Sequence, residues 1–352
     1  MENTLSTLYS HLTMTVTTKN ITETTDSIKI NTIFSESIST LNVTGSLLLN
    51  EHYSAPWAIS VPSTAELTEL LTKKNNTHIA AFHLVRRGRI EIEIQNGRSE
   101  IINEGEMAIC FSGKAHTLFQ GVSKPAYPFQ NLMQGNQNIF EPTTENKTQA
   151  TSLICGIFTL HNTQLNPLFE AMPPLLKVSL EQGDYRSIST TNYIIKLLVN
   201  ELEQPSFSHS YMVERYLELL CAQSMQTYVQ SMPKGETGWL QAINDTVMSR
   251  IIAAIHSKPD FEWSVIELAK LISLSPSRFA ARFTEVMGIT PMAYVTRWRM
   301  YIASQLLKNS NFNLEQIATQ VGYGNVAAFS RAFKRLLGLS PANWRTQNQS
   351  DN

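Results

Sequence analysis

The chain has 352 residues, 42% of them hydrophobic, and a net charge of −1 from 28 Lys and Arg against 29 Asp and Glu. That length suits two or more domains with buried cores, and no apolar run or basic-then-apolar opening suggests a membrane span or signal peptide. Its three cysteines, Cys110, Cys155 and Cys221, are too few and too scattered for a disulfide framework, and no C-x-x-C pair suggests a zinc ribbon. A cytoplasmic location without membrane contact is expected.

The small net charge hides an asymmetry. From Met1 to Trp239, 16 basic minus 22 acidic residues gives −6; from Leu240 to Arg345, 12 minus 6 gives +6; Asp351 supplies the last −1. A basic C-terminal third on an acidic body fits a phosphate-binding module joined to one that does not bind nucleic acid.

Residues 1–35 are rich in Thr, Ser and Asn with little periodicity, and predict a loose leader. From about Leu47 to Leu160 come short alternating runs: His78–Arg86, Arg89–Gln95, Arg98–Ile102, Glu106–Phe111, Ala115–Phe119 and Ser152–Leu160. Asn96-Gly97 between two of them is a strong hairpin signal, and Glu91 and Glu93 alternate with isoleucines, so they face water. Many short strands predict a small antiparallel barrel or jelly roll over residues 36–182. Residues 183–232 turn helical. Ile188, Ile195, Leu198, Val199 and Leu202 form one stripe, Pro205-Ser206 breaks it, and Met212, Tyr216, Leu219, Leu220 and Tyr228 form a second. Residues 233–238, PKGETG, read as a linker.

The stretch 239–346 writes one pattern twice. Val265 to Pro291 and Leu314 to Pro341 each read as helix, tight turn, helix, then Gly-x-Ser/Thr-Pro. In the first unit Val265, Leu268, Ala269 and Ile272 share a face, Ser275 is a suitable N-cap, and Gly288 a suitable stop. Phe279 and Phe283 point inward, leaving Ser277, Arg278, Ala281 and Glu285 outside and Arg282 at the edge. In the second, Ile317, Ala318 and Val321 face inward, Gly322 and Gly324 turn the chain, and Asn325 caps. Phe329 and Phe333 repeat the aromatic pair, leaving Ala327, Ala328, Arg331, Lys334 and Arg335 outside. Two helix-turn-helix units point to DNA. A solvated basic face would explain one such arginine better than two matching helices. Arg331 is placed to read base edges, with Lys334 and Arg335 on phosphates.

The stretch from Trp239 to Arg345, with PMAYVTRWRMYIASQLL and VGYGNVAAFSRAFKRLLGLSPANWR, resembles the DNA-binding domain of AraC/XylS-family bacterial transcription regulators. That resemblance implies seven helices, with the two units joined by a long helix from Pro291 to about Lys308. It also implies promoter DNA and RNA polymerase as partners. Gly105-x5-Phe111-x-Gly113-x2-His116, FHLVRRGRIEIEI from Phe82, and the set SAPWAI, LICGIF and MPPLL resemble the cupin-type sensory domain of one branch of that family. Phe111 stands where proline is usual, and His83 where metal-binding cupins carry a His-x-His pair. Helices after such a domain supply a dimer contact in the family; covering the open end of the barrel is the alternative here.

The chemistry of the sensor is left open by its residues. His83, His116 and Cys155 can converge as a zinc or copper set, but hydrogen-bonded core histidines and a buried thiol explain them more simply, and no cofactor is expected. Cys110 or Cys155 can act as a thiol sensor for an oxidant. An apolar small-molecule site near Trp57, His83 and His116 is the third option. Residues Tyr127 to Gln134 can form a flap. No nucleophile–base set, phosphate loop or carboxylate pair is visible. The expectation is therefore a regulator, α+β and multidomain, responding to a small molecule or oxidant, and not an enzyme. A cupin metalloenzyme fused to a DNA module and a non-specific architectural DNA binder are the alternatives from other classes.

Overall fold

The computed structural model describes residues 34–35, 37–71, 77–94, 98–133, 138–143, 150–179, 190–231 and 238–349. Phe34 and Ser35, placed by the sequence in the loose leader, are helical; the rest of that leader, the Asn96-Gly97 turn, most of the linker and Gln134 lie outside the described residues. No described helix is long and apolar enough to cross a membrane.

Among the described residues ten strands build two five-stranded sheets. They are β1 Thr44–Tyr53, β2 Trp57–Val61, β3 His78–Arg87, β4 Arg89–Ile94, β5 Arg98–Asn103, β6 Glu106–Cys110, β7 His116–Gln120, β8 Tyr127–Pro128, β9 Thr151–Leu160 and β10 Leu176–Ser179. The first sheet runs β1-β9-β3-β6-β10 and the second β5-β4-β7-β2-β8. Pairing is antiparallel except for the short parallel contact of β2 with β8. Among the described residues it closes no barrel: the domain is the two-sheet, jelly-roll form of the predicted architecture.

Strand alternation decides what lies between the sheets. Along β3, Ala81 and Val85 join the core shared with Trp57, Ile59, Ile90, Ile92, Leu118 and Cys155. Their neighbours Ala80, Phe82 and Leu84 face the other way, into a core shared with the helices. A strand buried on both faces is largely apolar, which is why Ile79–Val85 lacks polar alternation, with His83 the buried exception. On β4, Ile90 and Ile92 are buried while Glu91 and Glu93 are half-buried.

The helices α1 Thr64–Leu70, α2 Phe129–Met133 and α3 Pro167–Glu170 lie between strands; α4 Thr190–Glu203 and α5 His209–Ser231 form the hairpin. Ser63 and Glu66 make a capping box on α1, a Ser-x-x-Glu signal that the strand-rich texture concealed. The hairpin covers the outer face of the first sheet rather than the open end of a barrel. There Val213, Leu217, Leu220 and Cys221 join Phe82, Ile154 and Phe158 in one core. The approach is close: a Cβ on Gly45 of β1 would meet Leu217 Cβ at 2.2 Å. Leu219, predicted on the inner stripe, is 55% exposed. The buried positions 213, 217, 220, 221 and 224 set the helix face one step round from the predicted one.

The C-terminal domain contains α6 Trp239–Asn244, α7 Thr246–Ser257, α8 Val265–Lys270, α9 Pro276–Met287, α10 Pro291–Asn309, α11 Leu314–Gln320, α12 Val326–Leu337 and α13 Pro341–Gln349. These are eight helices among the described residues where the resemblance implies seven. Asp245 breaks the first in two by leaving helical geometry and accepting from the backbone N–H of Val247 and Met248. Ser275 and Asn325 cap the second helix of each unit, and Gly288 and Gly338 end them in left-handed geometry. Phe279, Phe283, Phe329 and Phe333 are fully buried, each contributing about 2–3 kcal/mol by area removed from water.

Helix α10 serves two cores at once. Tyr294, Val295, Trp298 and Tyr301 belong to the first unit's core, and Met300, Ala303 and Leu307 to the second's. The first face is tightened by His256, whose ring stacks on Trp298 at 3.5 Å between centroids. Trp239 Nε1–H donates to the Tyr294 hydroxyl at 3.0 Å, and that hydroxyl donates to His256 Nε2 at 2.8 Å.

Burial lowers the His256 pKa from 6.5 to about 3. Below pH 6.5 the unfolded chain binds a proton that the folded imidazole refuses, so stability falls as pH drops from about 6.5 towards 3, by at most about 1.4 kcal/mol per pH unit. Urea unfolding of the chain between pH 7 and 4 should therefore show wild type losing more stability than His256→Gln. Parallel losses would contradict the assignment.

Candidate DNA interface and sensor site

In the first helix-turn-helix unit α9 presents Ser277, Arg278, Ala281 and Glu285 to solvent. Arg282 is half-buried and forms an ion pair with Asp245 at 3.1 Å, so it braces the α6–α7 break. In the second unit α12 presents Ala327, Arg331, Lys334 and Arg335, with Ala328 half-buried beside them. Arg278, Arg331, Lys334 and Arg335 form no ion pair among the described residues. The second unit therefore offers three unneutralised cations on one helix, and the first offers one beside a carboxylate.

What holds the units in register escaped the sequence reading. Arg299, on α10, donates from Nε to Pro259 O at 2.8 Å and from Nη2 to Phe261 O at 2.7 Å, both before α8 in the first unit. The same guanidinium lies 5.8 Å from the Tyr323 ring centroid in the second. Gly322 makes room for it: at φ +78 a Cβ there would sit 2.6 Å from Arg299 Nη2 and 2.9 Å from Asp260 O. The available signal was Arg299 inside a helix whose other residues largely face the two cores.

The N-terminal domain touches the same helix. Asn166, fully buried, caps α3 by accepting from Phe169 N, and its amide donates to Ser37 O at 2.9 Å and to the Tyr301 hydroxyl at 3.0 Å. Tyr301 also bonds Thr40, and Arg297 pairs with Glu170. A cleft at this junction is lined by Glu170, Tyr228, Trp239, Tyr294, Arg297 and Trp298. None of the sensor candidates lines it.

Inside the sandwich, β3, β6 and β9 of the first sheet and β7 of the second bring together His83, Cys110, Cys155 and His116. All four are at least 95% buried. His83 Nε2 and His116 Nε2 lie 2.8 Å apart, His83 Nδ1 lies 3.2 Å from Cys155 Sγ, and Cys110 Sγ lies 3.7 Å from His116 Nε2. His116 Nδ1–H donates to Lys114 O at 3.1 Å. That fixes its tautomer and leaves Nε2 as a lone pair aimed at His83. The group with ligand atoms within 4.8 Å of one another is His83, Cys110 and His116, so Cys110 takes the place the sequence gave to Cys155. Trp57 stands apart. It opposes Gln120 while Val61, four residues on, opposes His116, a separation of about 13 Å along the strand. Its indole N–H donates to Gln120 Oε1 at 3.2 Å.

Burial holds both imidazoles neutral, His116 down to about 4 and His83 well below the ordinary value, with His116 adding to the lowering at His83. Burial pushes the Cys110 thiol up to about 12 and raises Cys155 as well. Such thiols are poor nucleophiles. Nor can they join directly. Cys110 opposes Ala81 and Cys155 opposes His83 on the two sides of β3, two strand spacings across and two residues along, about 12 Å between backbones, beyond the ~7 Å limit for a disulfide.

Residues 33–230 match a family model described as Cupin, and residues 268–347 match one described as Helix-turn-helix domain. A putative AraC-like transcription regulator of Streptomyces lividans is 27% identical over 274 residues, covering 76% of this chain and 86% of its own. The HTH-type transcriptional regulator AlkR of Acinetobacter baylyi is 27% identical over 279 residues, covering 76% and 87%. Among solved structures, ToxT from Vibrio cholerae is 13% identical with a TM-score of 0.33, covering 85% of this chain and 98% of that one.

Removing the Arg299 guanidinium should uncouple the two units without unfolding either. Arg299→Ala is expected to weaken binding to DNA carrying both contact blocks by about tenfold or more, roughly 1.4 kcal/mol. Affinity for a single block should change little, as measured by fluorescence anisotropy. Equal losses on both DNAs would mean that Arg299 supports one unit alone.

Proposed function

We propose, from the premise that the chain belongs to the AraC/XylS family of transcription regulators and carries a cupin domain ahead of its helix-turn-helix units, that one monomer reads two base blocks of promoter DNA about one helical turn apart. The observation that carries this is α10, 19 residues long and packed into both units. At 1.5 Å per residue it spans about 28 Å, which suits successive major grooves repeating every ~34 Å. Arg331, nearest the N-terminus of α12 among its free cations, reads a base edge, and Lys334 and Arg335 hold phosphates. On α9, Ser277, Arg278 and Ala281 read methyl groups and groove shape.

The cupin domain is the sensor and the cytoplasm its compartment. We read it as non-enzymatic because its convergent polar groups, His83, Cys110, His116 and Cys155, are buried inside the sandwich. A signal bound in the domain reaches the readers through Asn166, Tyr301 and the Arg297–Glu170 pair, and the DNA-bound protein engages RNA polymerase. The outer face of the hairpin carries Tyr193, Leu197, Tyr211 and Leu219, each at least half exposed. Tyr211 and Leu219 stand two helical turns apart on one stripe of α5, a surface suited to a second copy of the chain.

Two measurements test this reading. Inserting about five base pairs between the blocks turns the second to the opposite side of the duplex, and affinity should collapse to that of one unit; unchanged affinity would sink the rigid-reader proposal. Arg331→Ala should cost roughly 1–3 kcal/mol on specific DNA and far less on random DNA. For the hairpin, Tyr211→Lys with Leu219→Lys should convert a dimer to a monomer in light scattering, and a wild-type chain that is already monomeric would remove the dimer.

A further inference from the structure

We propose that the cleft at the seam of the two domains binds an aromatic α-amino acid as its zwitterion, with Arg297 holding the carboxylate and Glu170 the ammonium group. This rests on the reading of the N-terminal domain as a sensor tied to α10, and it names the class of signal to which that tie answers.

The cleft measures about 420 Å³, within the ~300–1,000 Å³ of small-molecule sites, which favour domain boundaries. Both domains line it. Glu170, at the end of α3, and Tyr228, near the end of α5, come from the N-terminal side; Trp239 on α6 and Tyr294, Arg297 and Trp298 on α10 come from the other. Tyr294, Arg297 and Trp298 fall at i, i+3 and i+4, so one face of α10 supplies a guanidinium beside two rings. The rings are held before any ligand arrives: Trp239 donates to the Tyr294 hydroxyl, and Trp298 stacks on His256. Preorganised walls of this kind lower the cost of binding.

The charges select the ligand. Among the described residues that line the cleft, only Glu170 and Arg297 carry charge, one of each sign. They pair with each other across the seam, with side chains 43% and 34% exposed. An ion pair so open to water contributes little, so parting it costs little. A lone carboxylate taken up by Arg297 would face the carboxylate of Glu170, and a lone amine beside Glu170 would face the guanidinium. A neutral ligand would meet the standing pair with nothing to match it. An α-amino acid carries both charges on one carbon, so it replaces one ion pair by two charge-assisted contacts. Its aromatic side chain then lies against Tyr228, Trp239, Tyr294 and Trp298, where ring-on-ring packing adds to area removed from water.

Occupancy changes how the domains are joined. The direct Glu170–Arg297 tie becomes a bridge through the ligand, on the helix that packs into both reading units.

The test uses the full chain with no DNA present, so its failure is separate from failure of the DNA reading. In isothermal titration with L-phenylalanine, L-tyrosine and L-tryptophan, at least one should bind at one equivalent with a Kd below about 1 mM. Against the tightest of the three, glycine and the two analogues lacking the ammonium or the carboxylate group should each bind about tenfold more weakly or worse; these comparisons need no variant. Glu170→Gln and Arg297→Gln, with melting temperatures checked, should each weaken binding by a similar factor. The proposal is overturned if none of the three amino acids binds, if an analogue lacking either charge binds as well as its parent, or if affinity survives either substitution.

Discussion

The packing of one helix into two hydrophobic cores is the constraint on which the rest of the C-terminal domain depends. Each helix-turn-helix unit is too small to bury its own aromatic pair without help, and α10 supplies a wall to both. Because the two sets of buried side chains follow one another along a single rod, neither unit can rotate without exposing its phenylalanines. Arg299 adds a polar tie at the point where the sets interleave, reaching backbone carbonyls on one side and an aromatic ring on the other. Direct carbonyl bonds from a guanidinium are charge-assisted and directional, so they constrain orientation where apolar packing constrains distance. The sensor makes its buried polar contacts to the same helix, through Tyr301 and Arg297. Whatever displaces that contact acts on both readers together.

In the N-terminal domain the organising constraint is the strand period of two. It divides the apolar run of β3 between two cores and leaves His83 facing the sandwich interior among Ala81 and Val85. The same period turns Cys110 and Cys155 inward from the flanking strands. A histidine there meets its partners across β3 and across the sandwich, not along the chain.

Local features were legible in the sequence and long-range ones were not. The N-caps Ser275 and Asn325, the glycine stops, the paired phenylalanines and six strands follow from spacing alone, because each depends on residues within one turn or one strand. The Asp245 break was equally local but lay hidden, since its cap competes with an otherwise continuous helical pattern. The Leu219 error has another origin: hydrophobicity marks a stripe, but which edge of that stripe faces the sheet depends on where β1 admits Leu217 at Gly45. Sequence could bring His83 and His116 together through the cupin pattern, yet it could not choose between two cysteines. Strand order puts one on each side of β3, and only the placement of the two imidazole rings sets Cys155 against His83 Nδ1 and Cys110 against His116 Nε2. The links from Asn166 to Tyr301 and Ser37 span more than a hundred residues, beyond any periodicity.

The unequal charge of the two reading helices gives the molecule a direction. With Arg282 paired to Asp245 and the exposed Arg278 and Glu285 of opposite charge, α9 is nearly neutral, whereas α12 is strongly cationic. A palindrome would waste this asymmetry. A site read as proposed would have a tightly gripped end and a loosely gripped one, so the bound protein would point one way along the duplex. Sequence drift at the loose end should then tune occupancy in small steps, while drift at the tight end switches it off.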